Sequence, residues 1–364
     1  MKKVLTVLLI FVMAMSLPLF AQGSKDSASK KPYIAVVSKG EQHDFWQQVK
    51  KGSAAAATDF GVDITFEGPP SESDVQRQVE MLNSALAKNP NAIALAALNT
   101  GSVLDQLNEA MSKKIPVIGF DSGVPEAPAG SIWANASTNN YNAAGLGAEK
   151  LFEVIKPLIE KATVAAPVRI VVLNQDASGE SLLSRGRGFR DAMVNLIDGQ
   201  TSLTKADIAV VGNPAYIATD SPTGGRKVFI EMMVPASAAL TDAANTAQAA
   251  LNRIKSDNIV GIFCSNEATV KGLLTATNDG IALANTYKGL VVVGFDAGAA
   301  QKNAVREGYF LGSITQDPYS IGYKAVELAY KAFKGEPVAD VDTGAKFYNA
   351  ANMDNDDIKG LIYD

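Results

Sequence analysis

One short phrase occurs twice in the chain, and it constrains the fold more than any other feature. Residues 115–123 read IPVIGFDSG, and residues 290–298 read LVVVGFDAG. Each phrase is an apolar run of the length of a central parallel strand, followed by Gly-Phe-Asp, a small residue and Gly. Ligands of open α/β sheets bind outside the carboxyl ends of the strands. We therefore expect Asp121 and Asp296 to face one ligand from two similar lobes.

Short apolar segments alternate with longer amphipathic ones from Tyr33 onward, which predicts parallel sheets joined by right-handed crossovers. The predicted strands are 33–38, 62–68, 91–98, 115–121, 168–175, 206–213, 259–266, 290–296 and 310–316. So many strands suit two α/β domains better than one sheet. A predicted helix over 45–60 ends at Gly61.

The segment Asn213–Pro235 breaks this alternation. It contains Gly224 and Gly225 between two β-rich runs and has no helical period. Two glycines between such runs favour a hairpin. We therefore predict a β insertion at the rim of the second domain.

The N-terminus has the pattern of a secretory signal peptide. Lys2 and Lys3 precede an apolar run over 4–20, and Ala21-Gln22-Gly23 follows it. A transmembrane anchor is the alternative, but the run is near the short limit for a span. We expect cleavage after Ala21, giving a signal peptide over 1–21 and a flexible tether over 22–31. We expect the product to be exported to the periplasm or the extracellular space.

Composition and missing motifs argue against several classes of protein. A net charge of −5 gives no basic footprint for nucleic acid, and the cluster Arg185–Arg190 is interpreted as a solvated helix face. One histidine, His43, and one cysteine, Cys264, are too few for a structural zinc site. A lone cysteine also excludes an internal disulfide, and none lies near the cleavage site to carry a lipid. No phosphate-binding loop or nucleophile elbow occurs.

We therefore expect no cofactor, no metal, no nucleic-acid partner and no catalytic residue. Two carboxylates could in principle act as the acid and nucleophile of a glycosidase. A secreted sugar-active enzyme therefore stays open as the alternative.

The predicted strand ends are rich in hydrogen-bonding and aromatic side chains, a mixture that suits polyhydroxy ligands. Candidate site residues at these ends and at the helix after the first strand are Ser38, His43, Phe45, Trp46, Asp121, Asn266, Phe295, Asp296 and Gln316. Structural roles are the alternative at each position. The two aspartates, Asn266 and Gln316 could cap turns or helices, Phe45 and Trp46 could be core residues, and His43 could be an ordinary loop residue.

The chain resembles the periplasmic sugar-binding proteins of ABC transporters, of the ribose and galactose type. The resemblance covers Tyr33 to about Phe347 and is carried by FWQQVKKG, IPVIGFDSG, SRGRGF, IFCSNEATVKG, VVVGFDAG and GSITQDPYSIG. It implies two Rossmann-like lobes, 32–135 plus 317–342 and 136–316 plus 343–364. It also implies a hinge that crosses between them near 135–138, near Gln316 and near 343–347.

The resemblance implies that all nine candidate residues contact a sugar, with His43 in the place of an Asn that some relatives use. Ser122 and Leu183 stand where ribose binders have Arg, and the stretch Ala96–Asn99 replaces an Asn. Losing two guanidinium groups removes strong bidentate contacts, which puts ribose itself in doubt. A monosaccharide, polyol or related small polar ligand remains the expectation.

The function implied is capture of this ligand between the lobes and delivery to an ABC transporter membrane permease. We expect a monomer, and a membrane chemoreceptor stays open as a further partner. Repressors of the lac type share the fold but carry a DNA-binding helix-turn-helix at the N-terminus. Here a signal peptide occupies that place, which argues against a repressor.

Overall fold

A computed structural model describes residues 31–217 and 224–363. The predicted signal peptide and all of the tether except Lys31 therefore lie outside the described residues. The predicted alternation of strands and helices is confirmed over the described part. The strands are β1 Tyr33–Val37, β2 Asp63–Glu67, β3 Ala92–Leu95, β4 Val117–Phe120, β5 Ile132–Ser137, β6 Val168–Leu173, β7 Ile208–Gly212, β8 Val228–Met233, β9 Ile259–Cys264, β10 Val291–Phe295, β11 Gly312–Gln316, β12 Val341–Asp342 and β13 Ala345–Tyr348.

The α-helices of the described residues fill most of the intervals between these strands. They are α1 Asp44–Phe60, α2 Val75–Ala87, α3 Leu104–Ser112, α4 Asn140–Ile159, α5 Glu180–Gln200, α6 Leu240–Leu251, α7 Glu267–Ala276, α8 Ile281–Ala284, α9 Ala299–Arg306, α10 Pro318–Phe333 and α11 Asp356–Lys359. Helix α1 ends as predicted, because Gly61 adopts the left-handed conformation and its N–H bonds back to the last turn. No helix of the described part has the length and apolar character that a membrane span requires.

The described strands form two sheets, each the centre of one lobe. The first has the order β12-β5-β4-β3-β1-β2, and the second has the order β13-β11-β10-β9-β6-β8-β7. The pairings are parallel except for β13, which runs antiparallel to β11. We call the first sheet and the helices packed on it the first lobe, and the second sheet with its helices the second lobe. The repeated phrases are β4 and β10, which lie inside the two sheets.

The chain passes between the lobes three times, as predicted. It leaves the first sheet after β5, returns after β11 when α10 packs on β3, β4 and β5, and leaves again after β12. The first and third crossings are bonded to each other. The Thr138 hydroxyl donates to the carbonyl oxygen of Gly344 at 3.2 Å, and the Asn139 N–H donates to Asp342 Oδ1 at 3.0 Å. The predicted fold class, two Rossmann-like lobes with a three-crossing hinge, is confirmed.

The predicted hairpin within 213–235 is wrong. Strand β8 pairs in parallel with both β6 and β7, so it is an interior strand of the second sheet. Its residues alternate between buried and half-buried, as a strand inside a sheet requires. Gly224 and Gly225 lie in the connection before β8, and residues 218–223 of that connection are outside the described residues. The two glycines mark a turn, but the strands on either side of it do not run antiparallel.

Candidate ligand-binding site between the lobes

A small enclosed space lies where the carboxyl ends of the two sheets face each other. The residues that line it come from both lobes: Lys39, His43, Phe45, Trp46, Glu72, Asp121, Leu182, Arg185, Asn266, Glu267, Asp296 and Gln316. The space open to the centre of a water-sized sphere is about 20 Å³, which is room for about one water molecule. A larger ligand can therefore enter only if the lobes separate or the lining side chains rotate.

Seven of the nine predicted site residues line this space, and Ser38 and Phe295 do not. The Ser38 hydroxyl donates to the carbonyl oxygens of Gly40 at 3.0 Å and of Glu67 at 3.3 Å. Phe295 is completely buried in the core of the second lobe. Both residues adjoin lining residues: Ser38 precedes Lys39 in the chain, and Phe295 packs beneath Arg185.

The start of α1 brings three predicted residues to the space. His43 is the N-cap of the helix, and Phe45 and Trp46 occupy its first turn. The two rings meet edge to face with centroids 5.0 Å apart, an arrangement that aromatic pairs favour. The Trp46 indole N–H donates to Glu72 Oε1 at 2.6 Å, which fixes the ring. Both rings belong to the buried core and also line the space. The core interpretation is therefore correct, and contact of either ring with a ligand stays a prediction.

The two repeated aspartates share one backbone conformation. Asp121 has a φ of 55° and Asp296 has a φ of 78°, so both lie in the left-handed region. Aspartate tolerates this region better than most residues, because its short polar side chain can bond locally. The turn ends each strand with the carboxylate facing the space between the lobes. The repeated phrase therefore encodes the same strand-end geometry in both lobes.

Asp296 is held by three groups of its own lobe. Its Oδ1 accepts from Gln316 Nε2 at 2.7 Å, its Oδ2 accepts from the Glu267 N–H at 2.9 Å, and the Arg185 guanidinium lies 4.0 Å away. Burial raises the pKa of Asp296, although Arg185 and Gln316 favour the charged form. Asp296 thus binds the start of α7, so its capping role and its place in the cavity wall coexist.

Asn266 also has two roles. Its Oδ1 accepts from the Thr269 N–H at 3.1 Å, which caps α7. Its Nδ2 donates to Gln175 Oε1 at 2.5 Å, and Gln175 Nε2 donates to Glu72 Oε2 of the first lobe at 2.8 Å. The capping alternative for Asn266 is therefore correct, and the side chain still lines the space.

Asp121 is paired with a residue that the sequence analysis missed. Lys39 Nζ lies 3.0 Å from Asp121 Oδ2 and also donates to Ser181 Oγ of the second lobe at 3.0 Å. Burial opposes the charge of Lys39, but the carboxylates of Asp121 and Glu72 outweigh it and raise its pKa. Lys39 directly follows Ser38 at the end of β1, so extending the predicted strand end by one residue would have found it.

Arg185 was predicted to lie on a solvated helix face, and this is wrong. Only 3% of the residue is exposed. Its guanidinium carbon lies 3.9 Å from the ring centroid of Phe295, its Nε donates to Asn140 Oδ1 at 2.8 Å, and its Nη1 donates to the Ser265 carbonyl oxygen at 3.0 Å. In the same sequence cluster Arg187 is exposed, as predicted. Phe295, which the resemblance implies to be a sugar contact, stacks on this guanidinium.

Three further lining residues are not among the predicted site residues: Glu72, Leu182 and Glu267. Burial alone would raise the pKa of Glu72, but His43, Lys39 and the hydrogen bonds from Trp46 and Gln175 lower it. Glu267 directly follows the predicted residue Asn266, so extending that strand end by one residue would have included it. Glu72 lies in the loop after β2, where no motif indicates it.

A family model described as periplasmic binding protein domain matches residues 34–337. The chain belongs to this family. The family is one of non-enzymatic sugar-binding proteins, so the expectation that the chain is not an enzyme is confirmed on that ground. The resemblance that the sequence motifs indicated is confirmed as well.

Three similar proteins each align with 88–92% of this chain. The D-allose-binding periplasmic protein of Escherichia coli is 24% identical over 321 residues, which are 88% of this chain and 91% of that protein. A solved structure described as "ABC transporter, LacI family transcriptional regulator" from Brachyspira murdochii is 40% identical, has a TM-score of 0.75, and covers 92% of this chain and 99% of its own. An ABC transporter solute-binding protein from Agrobacterium vitis, solved with bound D-fucose, is 26% identical with a TM-score of 0.72, over 91% of this chain and 100% of its own.

Proposed function

We propose that the protein captures a neutral monosaccharide or polyol between its lobes and delivers it to an ABC transporter permease. The observation that carries this proposal is that acceptors and donors from both lobes line one enclosed space. Asp121 and Lys39 come from the first lobe, and Arg185, Asp296 and Gln316 come from the second. A ligand that bonds to both sets at once favours the closed arrangement of the lobes, which is how a two-lobed protein traps its ligand.

The charges around the space favour a ligand without net charge. Lys39 is paired with Asp121, Arg185 lies beside Asp296, and His43 lies 3.7 Å from Glu72. An anionic or cationic ligand would bring a buried charge of its own for which the paired lining residues offer no free counter-charge, which is costly. Sugar hydroxyls can instead donate to the carboxylates and accept from the cations.

The ligands of related proteins support the same class of compound. One relative is named for D-allose, and two solved structures, each 26% identical, contain D-fucose and D-arabinose. These are neutral monosaccharides. We extend only this class to the present chain, because Ser122 and Leu183 make its site different from that of ribose binders.

The remaining parts of the proposal concern localisation, oligomeric state, lobe boundaries and a second partner. We propose an exported monomer, cleaved after Ala21 and without a lipid anchor, that works in the periplasm or outside the cell. Its lobes would divide as 32–135 plus 317–342 and 136–316 plus 343–364. A membrane chemoreceptor is a second partner that the same closed surface could serve.

A thermal-shift screen of the purified protein tests the proposal. The panel contains D-allose, D-ribose, D-fucose, D-arabinose, polyols, and charged sugars such as glucuronate and glucosamine. A ligand that binds only the native state raises the midpoint of unfolding. We expect a shift with at least one neutral sugar or polyol and none with the charged sugars. A shift with charged sugars only, or consumption of the sugar over hours by NMR, would overturn the proposal.

A further inference from the structure

The carboxylate of Glu267 reaches from the second lobe to the first. Its Oε1 accepts from the Asp44 N–H and its Oε2 accepts from the Phe45 N–H, each at 3.3 Å. His43 Nδ1 lies 3.6 Å from the same carboxylate, and Lys271 of its own helix lies 2.5 Å away. Only 3% of the Glu267 side chain is exposed. This buried carboxylate therefore has three partners across the cleft and one cation, Lys271, within its own lobe.

Helix α1 has no cap of its own for these N–H groups. The first turn of a helix carries free backbone N–H groups, which a side chain at the N-cap commonly binds. Here the N-cap is His43, and its side chain makes no capping hydrogen bond. A carboxylate at this end is also favoured by the helix dipole. The cap of a first-lobe helix is thus supplied by Glu267 of the second lobe.

The reverse contact exists as well. Helix α9 begins at Ala299 after the N-cap Gly298, which has no side chain to cap it. Asp44 Oδ2 of the first lobe accepts from the Ala299 N–H at 3.4 Å. A Cβ atom at Gly298 would lie 2.8 Å from Asp44 Oδ2 and 3.3 Å from Glu267 Cδ. Gly298, the last residue of the second repeated phrase, therefore leaves room for the Asp44 carboxylate of the first lobe.

Glu267 also connects the two halves of the cavity wall. Its carboxylate holds the backbone of Phe45, while its own N–H donates to Asp296 Oδ2 at 2.9 Å. Both Phe45 and Asp296 line the enclosed space. The position of Glu267 thus fixes the distance between wall residues of opposite lobes.

We propose that Glu267 and Asp44 are positioning residues. Each caps a helix of the opposite lobe, Glu267 at the start of α1 and Asp44 at the start of α9, and together they hold the closed arrangement in which ligand is bound. We call this pair of contacts the reciprocal cap. The inference rests on the proposed function only in that closure serves ligand capture. The contacts themselves also determine how often the lobes separate without ligand.

Two variants remove the two halves of the reciprocal cap, and two others serve as matched controls. Glu267→Gln weakens the cap of α1, and Asp44→Ala removes the cap of α9. Glu307→Gln removes an exposed charge of the second lobe, and Asp105→Ala removes an exposed first-turn aspartate of the first-lobe helix α3. Gly298→Ala is a fifth variant, which adds a methyl group that clashes with Asp44 only when the lobes meet.

The main measurement is the distance between two spin labels, one on α2 of the first lobe and one on α6 of the second, in protein without sugar. Exposed positions Gln76 and Thr241 are changed to Cys and labelled, while native Cys264 is fully buried and stays unlabelled. We expect Glu267→Gln, Asp44→Ala and Gly298→Ala to shift the distribution to longer distances. The two controls should match the parent. A role confined to the fold of one lobe would lower the unfolding midpoint without changing this distance.

The second measurement is the dissociation constant for whichever sugar of the panel stabilises the parent protein. Losing a helix cap costs about 0.5–2 kcal/mol, so binding should weaken roughly 2- to 30-fold, mainly through faster dissociation. Unchanged distances and unchanged affinity in all three variants would overturn the reciprocal cap. If no sugar stabilises the parent, the proposed function fails, and the distance measurement still decides whether the cap exists.

Discussion

Lys39 Nζ lies 3.0 Å from Asp121 Oδ2, and both side chains are at least 93% buried. The pair follows two strands of the first sheet, β1 and β4, and Lys39 also bonds Ser181 of the second lobe. The first repeated aspartate therefore has an internal cation, whereas the second, Asp296, is held by an amide, a backbone N–H and a more distant guanidinium. The two copies of the phrase share a backbone turn but provide different electrostatic environments.

Breaking the Lys39–Asp121 pair is expected to destabilise the protein by about 3 kcal/mol, because the buried cation of Lys39 then keeps only one of its two carboxylates, that of Glu72. Asp121→Asn should therefore lower the free energy of unfolding, measured with urea. The double variant Lys39→Met with Asp121→Asn should regain most of that loss, since neither charge remains. Lys150→Met is the control, because it breaks an exposed pair with Glu153 and should cost less than about 0.5 kcal/mol. A double variant no more stable than Asp121→Asn alone would contradict the expectation.

Asp296→Asn is expected to weaken sugar binding about 10- to 100-fold, since hydrogen bonds to a charged group contribute about 1.5–3 kcal/mol. Asparagine is a better test than alanine, because the φ of 78° would strain alanine and confuse binding with folding. Titration calorimetry with the sugar selected by the thermal-shift screen measures the change. Asp279→Asn is the control, since Asp279 is exposed and has a similar φ of 54°. Parental affinity in Asp296→Asn would remove this residue from the proposed site.

The alternation of apolar and amphipathic segments was sufficient to predict the fold class and most strands. It did not predict β5, whose residues are only partly apolar and mix buried, half-buried and exposed positions. The hairpin predicted around β8 was wrong for a different reason. Two adjacent glycines indicate a turn, but they do not determine which strands pair with each other. Strand pairing is a contact between distant segments, and only the packed structure reveals it.

Strand ends could be located from the sequence, whereas the side chains that packing brings beside them could not. The repeated phrase located both aspartates, since the ends of parallel strands meet at one edge of a sheet. The prediction for Arg185 was wrong because a sequence cluster of basic residues usually faces water, as its neighbour Arg187 does. Its burial follows from the ring of Phe295 beneath it and the acceptor of Asn140 beside it. No local pattern brings these three residues together.

Arg185→Lys is expected to weaken sugar binding about tenfold. Lysine keeps the charge but loses the planar contact with the Phe295 ring and the bond from Nε to Asn140. Phe295→Leu, which keeps an apolar side chain of similar bulk, should weaken binding less, because the cation–π contact contributes about 0.5–2 kcal/mol. Phe229→Leu is a matched control, since Phe229 lies beneath Arg169 at 4.9 Å, outside the lining of the cavity. Calorimetry on the three variants checks these expectations, and equal affinities for Arg185→Lys and the parent would contradict them.

The ion pairs of His43 should make the folded protein lose stability as the pH rises above neutrality. Burial lowers the pKa of His43, but the carboxylates of Glu267 and Glu72 outweigh both burial and the nearby charge of Lys271, so the pKa is raised. A raised folded-state pKa gives stability that is fully present below the ordinary value of about 6.5. That stability is lost as the pH rises through the raised value. Burial alone would raise the pKa of Glu267, but His43 and Lys271 lower it to about 2, so this carboxylate does not titrate in the same window.

The variant His43→Gln tests this pH dependence directly. Urea unfolding between pH 5.5 and pH 9, without sugar, should show that the parent is more stable than the variant at low pH and that the difference shrinks as the pH rises. Because the chain contains one histidine, its proton NMR titration can be assigned without ambiguity and should give a pKa above 6.5. A constant difference between parent and variant across this range, or a midpoint below the ordinary value, would show that His43 is not held as a cation between the lobes.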